Sequence, residues 1–189
     1  MSRIDIPTLE TERLRLLAPD ESHLPAWADE FFGDADVARY ISKRPLTPLQ
    51  RAERALRVAR ATWEARGIGG WVIGDKAGNA FLGAINIEPW DDTEELEIGY
   101  GLVPAAWGMG YATEAVQAAV AYAFDVAGVA RLSARVVAAN TASSKVLVKL
   151  GFAVMDERPL ENGGTLLIYR LERAAFNIDV LPNTVRPAT

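Results

Sequence analysis

Two glycines, Gly108 and Gly110, lie between an alternating segment and an alanine-rich segment with helical spacing. Glycine lets a backbone approach a ligand closely, and the first turn of a helix presents N–H groups that have no internal partner. Consecutive amides at a helix start form a concave site for anions. The stretch WGMGYATEA, from Trp107 to Ala115, therefore predicts a phosphate-binding turn, although a simple tight connection would use the same residues.

The segment before these glycines has two different faces. From Glu94 to Val103 (EELEIGYGLV) apolar residues alternate with other residues at a period of two, which predicts a strand with one buried face. The other face carries carboxylates and glycines: Glu95, Glu97, Gly99 and Gly101. Glycine weakens a strand and often marks the close approach of another backbone, so this face is expected to meet a ligand.

The composition limits the chemistry available to this chain. Its 189 residues predict one domain, and half of them are hydrophobic. The absence of cysteine excludes disulfides, a cysteine nucleophile and thiolate metal sites. His23 is the one histidine, and its polar surroundings (PDESHLP) favour a solvated residue. The sequence therefore predicts neither a Ser-His-Asp hydrolase nor a metal site.

Charge and hydropathy bear on partners and location. A formal net charge of −5 argues against general nucleic-acid binding. No apolar run approaches the roughly 20 residues that a membrane span needs. The N-terminus (MSRIDIPTLETER) lacks the apolar segment of a secretory signal. We expect a cytoplasmic protein that binds neither nucleic acid nor a membrane.

Periodicity predicts the other elements. Apolar residues recur at helical spacing from Pro48 to Trp63, and Gly67 predicts the end of that helix. The other predicted helices cover Pro19 to Phe32, Asp36 to Ile41, Tyr111 to Ala127 and Asn140 to Leu150. The other predicted strands cover Arg13 to Leu17, Gly70 to Ile73, Ala80 to Ile87, Arg131 to Ala139, Phe152 to Glu157 and Thr165 to Leu171.

The same glycines would also suit a dinucleotide-binding fingerprint. That fingerprint opens a βαβ unit, and an acidic residue at the end of the next strand binds the ribose. Here several strands precede the glycines, and Thr113 occupies the third glycine position. The next strand ends in Ala138, Ala139 and Asn140, so the acidic residue is missing. A nicotinamide-dependent oxidoreductase is therefore the least favoured function.

Three stretches taken together resemble the GNAT superfamily of acetyl-CoA-dependent N-acetyltransferases. They are LETERLRLLAP, EIGYGLVPAAWGMGYATEA and NTASSKVLVKLGF. By element order the resemblance covers about Leu9 to Glu172, and it is strongest to the branch of RimJ and RimL, which acetylate ribosomal-protein N-termini. It implies an α/β (α+β) GNAT fold, with a mixed, mostly antiparallel, twisted central sheet, splayed middle strands and helices on both faces.

The resemblance implies which residues bind acetyl-CoA, the acyl-donor substrate. The turn matches the loop whose amides hold the CoA diphosphate: Trp107, Gly108, Met109, Gly110, Tyr111, Ala112 and Thr113. Asn140 and Ser143 match positions that line the pantetheine arm and the thiol, and Leu102 or Val103 would supply a strand amide to the acyl oxygen. Family members usually carry Arg or Gln three residues before the first glycine, where this chain has Ala105.

Acetylation of an amine needs a group that takes a proton from nitrogen. Glu97 is the candidate base, because a partly buried carboxylate can gain basicity, and Glu95 is the alternative. The two glycines on the same strand face would leave room for acetyl-CoA. Many family members use a tyrosine as the general acid, but none follows Asn140 in its helix. Ser143 or Ser144 would replace it as a hydrogen-bond donor, unless Ser143 only caps the helix.

We therefore expect one GNAT acetyltransferase domain over residues 1–173 and a tail at 174–189 that is loosely ordered or docks as a short arm. The expected reaction is direct transfer of the acetyl group to a primary amine. A protein N-terminus is the leading acceptor and a small-molecule amine the second. We expect no metal, and a monomer or homodimer. The competing function is a non-catalytic acyl-CoA-binding module of the same fold.

Overall fold

The computed structural model describes residues 5–41, 45–78, 80–90, 93–176 and 186–187. The strands are β1 (Leu9–Glu10), β2 (Leu14–Leu17), β3 (Trp71–Asp75), β4 (Phe81–Pro89), β5 (Leu96–Leu102), β6 (Arg131–Val137), β7 (Ala153–Pro159), β8 (Thr165–Glu172) and β9 (Arg186–Pro187). The α-helices are α1 (Leu24–Ala26), α2 (Ala35–Ala38), α3 (Pro48–Arg66), α4 (Tyr111–Asp125) and α5 (Thr141–Lys149). A 3₁₀ turn (Glu21–His23) and a π-helical turn (Trp27–Phe32) flank α1, so residues 21–32 form one continuous helical segment.

The strands form one open sheet in the order β7-β8-β6-β5-β4-β3-β2-β1-β9. Every neighbouring pair is antiparallel except β5 and β6, which are parallel. Strands β4 and β5 stay in register from Gly83 to Pro89, whereas β5 and β6 share only the pair Glu97 and Ser133. Beyond that pair the two middle strands separate. The prediction of a mixed, mostly antiparallel sheet with splayed middle strands is confirmed.

Local sequence signals explain the bounds of α3. The Thr47 side chain accepts a hydrogen bond from the Gln50 amide, and the Gln50 side chain accepts one from the Thr47 amide. Pro48 takes the first helical position, where a missing N–H costs nothing. Gly67 adopts φ 66° and donates to the Trp63 carbonyl at 2.9 Å. The predicted start at Pro48 and end at Gly67 are confirmed.

Successive residues of β5 face two different helical layers. Tyr100 extends toward α5, where its hydroxyl meets Ser143, and the buried Ile98 shares this face of the strand. Gly101 faces the opposite layer, where the ring of Phe31 lies against it. Helices α4 and α5 cover one side of the sheet and the N-terminal helical segment covers the other, which confirms helices on both faces.

Part of the predicted tail joins the sheet. Arg186–Pro187 pairs antiparallel with Leu9–Glu10, as a docking arm would. Residues 174 and 175 belong to a 3₁₀ turn, and most of the rest of the tail lies outside the described residues. The domain boundary at residue 173 stays a prediction.

Candidate active site

The turn between β5 and α4 presents a run of open backbone donors. Gly108 and Gly110 have φ angles of 75° and 79°, a left-handed conformation that glycine adopts without strain. Within the described chain, no residue accepts a hydrogen bond from the amides of residues 108–113. The first amide with an internal partner belongs to Glu114, which donates to the Gly110 carbonyl at 3.2 Å. Consecutive donors therefore stay open at the positive end of a 15-residue helix.

The space beside this turn is open and has an apolar rim. A Cβ placed on Gly108 would meet no atom within 4 Å. Trp107 and Met109 are 48% and 53% exposed although both are large and apolar. A ligand that joins an anionic group to apolar parts would cover both features. The geometry supports the predicted phosphate-binding turn.

Only alternate residues of β5 direct their backbone N–H and C=O groups into the gap between β5 and β6. The Val103 amide donates to the Leu82 carbonyl at 2.9 Å, on the β4 side of the strand. Hydrogen bonds alternate along an antiparallel pair, so Leu102 directs its N–H and C=O toward the gap. The Leu102 carbonyl already accepts from Trp107 Nε1 at 2.8 Å. The Val103 amide is therefore the wrong choice for the acyl oxygen, and the Leu102 amide remains a candidate.

Ser143 lies on the α5 side of the gap and bonds to a tyrosine. Asn140 Oδ1 accepts a hydrogen bond from the Ser143 amide at 3.2 Å, so Asn140 is the residue whose side chain caps α5. Ser143 Oγ donates to Tyr100 Oη at 2.9 Å, and Tyr100 Oη donates to the Ser143 carbonyl at 2.9 Å. The alternative in which Ser143 only caps the helix is therefore wrong. A tyrosine hydroxyl from β5 lies beside the predicted donor.

Tyr100 is the polar residue of this gap that sequence reasoning missed. Burial raises the pKa of Tyr100 to about 12, although its hydrogen bond with Ser143 lowers it somewhat. The hydroxyl therefore stays protonated at any pH at which the protein would be assayed. The alternation of β5 placed Tyr100 on the buried face, where an unpaired hydroxyl is costly, and this signal pointed to a polar partner.

Glu97, the predicted base, is held by an arginine. Its side chain is 15% exposed, and its carboxylate forms an ion pair with Arg135 of β6. The Arg135 guanidinium also lies 5.3 Å from the ring centroid of Trp90. The role of Glu97 as base stays a prediction, now with a cationic partner beside it.

Glu95, the alternative base, is held by two arginines. Its carboxylate accepts from Arg170 Nη2 at 3.0 Å, and it lies 3.6 Å from Arg131 Nη1. Both arginines come from the neighbouring strands β8 and β6. Glu95 therefore resembles a structural ion-pair residue more than a group that exchanges protons with a substrate.

Glu88 is a third carboxylate on the same face, and sequence reasoning assigned it no role. It lies opposite Glu97 in the register of β4 and β5. Within the described chain its hydrogen-bond partner is Asn86, whose Nδ2 donates to Glu88 Oε1 at 3.2 Å. Cross-strand register brings Glu88 and Glu97 together, and this pairing becomes visible only when the partner strand is known.

The two glycines of β5, Gly99 and Gly101, lie against other side chains of the protein. A Cβ on Gly101 would approach the Phe31 ring to 2.7 Å, and a Cβ on Gly99 would approach Asn86 Nδ2 to 3.3 Å. Phe31 is buried and packs edge to face on Phe32 at 5.0 Å. The expectation that these glycines leave space for acetyl-CoA is wrong, because side chains of the N-terminal segment and of β4 fill that space.

A buried ion pair lies behind the phosphate-binding turn. Glu114, 7% exposed, accepts from Thr11 Oγ1 at 2.6 Å and from Arg13 Nε at 2.7 Å. Arg13 Nη1 donates to the Met109 carbonyl at 2.9 Å, and its guanidinium lies 4.6 Å from the ring centroid of Tyr111. Sequence reasoning gave these residues no role. The available signal was a carboxylate inside an alanine-rich helix, since a buried carboxylate requires a partner.

Two classes of site are not seen. No cluster of three or more His, Cys, Asp or Glu side chains in the described ranges has a geometry that would hold a metal ion. Among the helices of the described chain, none combines the length and the apolar character needed to cross a membrane.

Known proteins share this fold and arrangement of elements. YoaA of Bacillus subtilis (strain 168), an uncharacterised N-acetyltransferase, is 30% identical over 162 residues, which cover 83% of this chain and 90% of YoaA. An acetyltransferase from Agrobacterium tumefaciens str. C58 superposes with a TM-score of 0.76 at 26% identity, covering 91% of this chain and 98% of that one. RimL, a ribosomal L7/L12 α-N-protein acetyltransferase in complex with coenzyme A, superposes with a TM-score of 0.71 at 20% identity. The superposition covers 85% of this chain and 94% of RimL.

The family assignment rests on a match that spans most of the site. The sequence profile of the acetyltransferase (GNAT) domain matches residues 13–153. This range begins at Arg13, includes the turn at Gly108 and Gly110, and extends past Ser143. The match exceeds half of the chain, and the splayed sheet agrees with it. The chain therefore belongs to the GNAT family of acetyltransferases and is an acyltransferase.

Proposed function

We propose that this protein transfers an acetyl group directly from acetyl-CoA to a primary amine, and that the amine is a protein N-terminus. The observation that carries the proposal is the run of open amides at residues 108–113, at the mouth of the gap between β5 and β6. The diphosphate of acetyl-CoA suits these donors, and the pantetheine arm suits the unpaired edges of the separated strands. The thioester then lies near Ser143 and Tyr100.

The reaction forms a carbon–nitrogen bond and breaks a carbon–sulfur bond. The neutral amine attacks the thioester carbonyl, and an amide such as that of Leu102 stabilises the oxyanion. Glu97 accepts the proton that nitrogen loses, directly or through water. Ser143 Oγ, which lies beside Tyr100, turns to donate a hydrogen bond to the departing thiolate, and the thiolate takes its proton from solvent, to which Glu97 releases the proton of the amine. An α-amino group with a pKa of about 8 suits this site, because its neutral form is already appreciable near neutral pH and a base of moderate strength suffices.

Two observations favour a protein N-terminus as the acceptor. The similar fold of RimL belongs to an enzyme of ribosomal-protein N-termini, and the net charge of −5 favours a cationic partner. We place the chain in the RimJ/RimL-like branch on these grounds. Small-molecule amines are the alternative acceptors that the experiments below compare.

Acetyl-CoA is expected to raise the melting temperature. A ligand at 100 times its Kd stabilises the folded state by about 2.7 kcal/mol, which corresponds to roughly 5–10 °C for a domain of this size. Thermal unfolding followed with saturating acetyl-CoA, and with NAD as the control, measures this shift. NAD should leave the melting temperature unchanged. A protein that responds to NAD and not to acetyl-CoA contradicts the proposed donor.

Thiol release is expected with peptides that have a free N-terminus. The assay compares three kinds of acceptor. The first is a peptide whose one amine is a free α-amine, the second is a peptide with a blocked α-amine and a lysine side chain, and the third is a small polyamine. Turnover should be fastest with the free α-amine, because its pKa is lower than that of an alkyl ammonium. Turnover with polyamines alone would assign a small-molecule acceptor. Binding of acetyl-CoA without turnover on any amine would identify a non-catalytic module.

A further inference from the structure

Arg13 has unused hydrogen-bond donors beside the phosphate-binding turn. A guanidinium carries five N–H groups. Nε donates to Glu114 Oε2 at 2.7 Å and Nη1 donates to the Met109 carbonyl at 2.9 Å, and Nη2 forms an ion pair with the same Oε2 at 2.6 Å. At least two of the five N–H groups therefore have no acceptor in the described part of the chain, and the side chain is 42% exposed. Arg13 is thus anchored on one edge and open on another.

The open edge of Arg13 lies next to the backbone donors. A Cβ placed on Gly110 would come within 3.5 Å of Arg13 Nη2, so the guanidinium borders the same turn as the open amides. The ring of Tyr111 lies 4.6 Å away and fixes the plane of the guanidinium from another side. Ala105, which precedes the first glycine of the turn by three residues, is exposed and offers no polar side chain. Arg13 is the cation that the tertiary structure brings to this position.

We propose that Arg13 is a binding residue for the diphosphate of acetyl-CoA, and that it supplies from β2 the charged side-chain contact that Ala105 does not. This inference rests on the proposed function. Paired N–H groups of a guanidinium match the geometry of phosphate oxygens, and such charge-assisted bonds are stronger than neutral ones. Glu114 has a different role: it anchors Arg13 from behind and directs no group of its own to the turn.

The test measures the Kd for coenzyme A in four variants. Arg13→Met keeps the aliphatic stem over Tyr111 and removes the donors. Glu114→Gln keeps the size of the anchor and removes its charge. The double variant removes both charges together, which avoids leaving the buried carboxylate unpaired. Arg15→Met is the matched control, since Arg15 pairs with Glu10 on the neighbouring strand at a distance of 3.2 Å and also loses one positive charge.

We expect Arg13→Met and the double variant to weaken coenzyme A binding about 10- to 100-fold. Glu114→Gln and Arg15→Met should leave the Kd within about threefold of the wild-type value. Melting temperatures distinguish a loss of affinity from a loss of stability. Arg13→Met and Glu114→Gln both break the ion pair, so both should lower the melting temperature. Only Arg13→Met should also lower the affinity for coenzyme A.

Truncated ligands locate the contact. Dephospho-coenzyme A keeps the diphosphate, so Arg13→Met should weaken its binding by the same factor as the binding of coenzyme A. Acetyl-pantetheine lacks the diphosphate, so its kcat/KM should be the same in wild type and Arg13→Met. Equal losses of affinity in Arg13→Met and Glu114→Gln would overturn the inference and make the pair purely structural. Wild-type protein that fails to bind coenzyme A would overturn the proposed function itself, whereas equal binding by wild type and Arg13→Met overturns only the role of Arg13.

Discussion

Glu97→Gln is expected to lower kcat about 100-fold or more while the Kd for acetyl-CoA stays the same. Glutamine keeps the shape of the side chain and an oxygen for Arg135, but it takes no proton from the amine. The strand face that bears Glu97 is opposite the one that bears Tyr100, so the change leaves the thioester side of the gap intact. Steady-state kinetics with an N-terminal peptide, together with a direct binding measurement for acetyl-CoA, checks both parts.

The pH dependence of kcat/KM is expected to follow the protonation of the acceptor amine. Because only the neutral amine is nucleophilic, kcat/KM should rise with pH up to the acceptor pKa of about 8 in wild type and in Glu97→Gln alike. Glu88→Gln is the matched control, since Glu88 lies opposite Glu97 on the same face and bonds to Asn86. Full activity in Glu97→Gln at every pH, with a large loss in Glu88→Gln, would move the base from Glu97 to Glu88.

Ser143→Ala is expected to lower kcat about 100-fold, because the departing thiolate loses its hydrogen-bond donor. Tyr100→Phe should lower kcat in the same direction, since it removes the hydroxyl to which Ser143 Oγ donates. Burial raises the pKa of Tyr100 to about 12, so the tyrosine stays protonated and the effect of Tyr100→Phe should be constant between about pH 6 and 10. Single-turnover kinetics with acetyl-CoA already bound isolates this step from binding.

Ser144→Ala provides the control for these variants. Ser144 follows Ser143 in α5, and its buried Oγ has no hydrogen-bond partner among the described side chains and backbone. Its removal should leave kcat within about threefold of wild type, because no hydrogen bond is lost. If Ser143→Ala behaves like Ser144→Ala, Ser143 is not the donor, and the hydroxyl of Tyr100 becomes the next candidate.

The glycine turn before α4 shows how far local sequence determines backbone structure. Gly108 and Gly110 adopt the left-handed conformations that their type permits, and α4 begins at Tyr111 as its periodicity predicts. The prediction succeeds because a helix start and a positive φ depend on neighbouring residues only. The prediction for Val103 failed because the direction of a strand amide depends on which partner strand occupies each side.

Helix α4 shows where a periodic pattern is insufficient. The pattern predicts a single apolar stripe, but every residue from Glu114 to Ala121 is buried. The helix is enclosed by the sheet on one side and by α5 on another, so residues outside the stripe are covered as well. A carboxylate that looks solvent-exposed on a helical wheel is therefore buried, and it requires Arg13.

The sequence by itself determined the order of the elements, the bounds of the main helices and the position of the glycine turn before α4, because propensity, capping and periodicity act over a few residues. Tertiary structure alone decided the partners of the site residues. Arg13 meets Glu114 across 101 positions, Tyr100 meets Ser143 across 43, and Arg135 meets Glu97 across 38. Strand order and side-chain direction bring such residues together, and no local spacing encodes them.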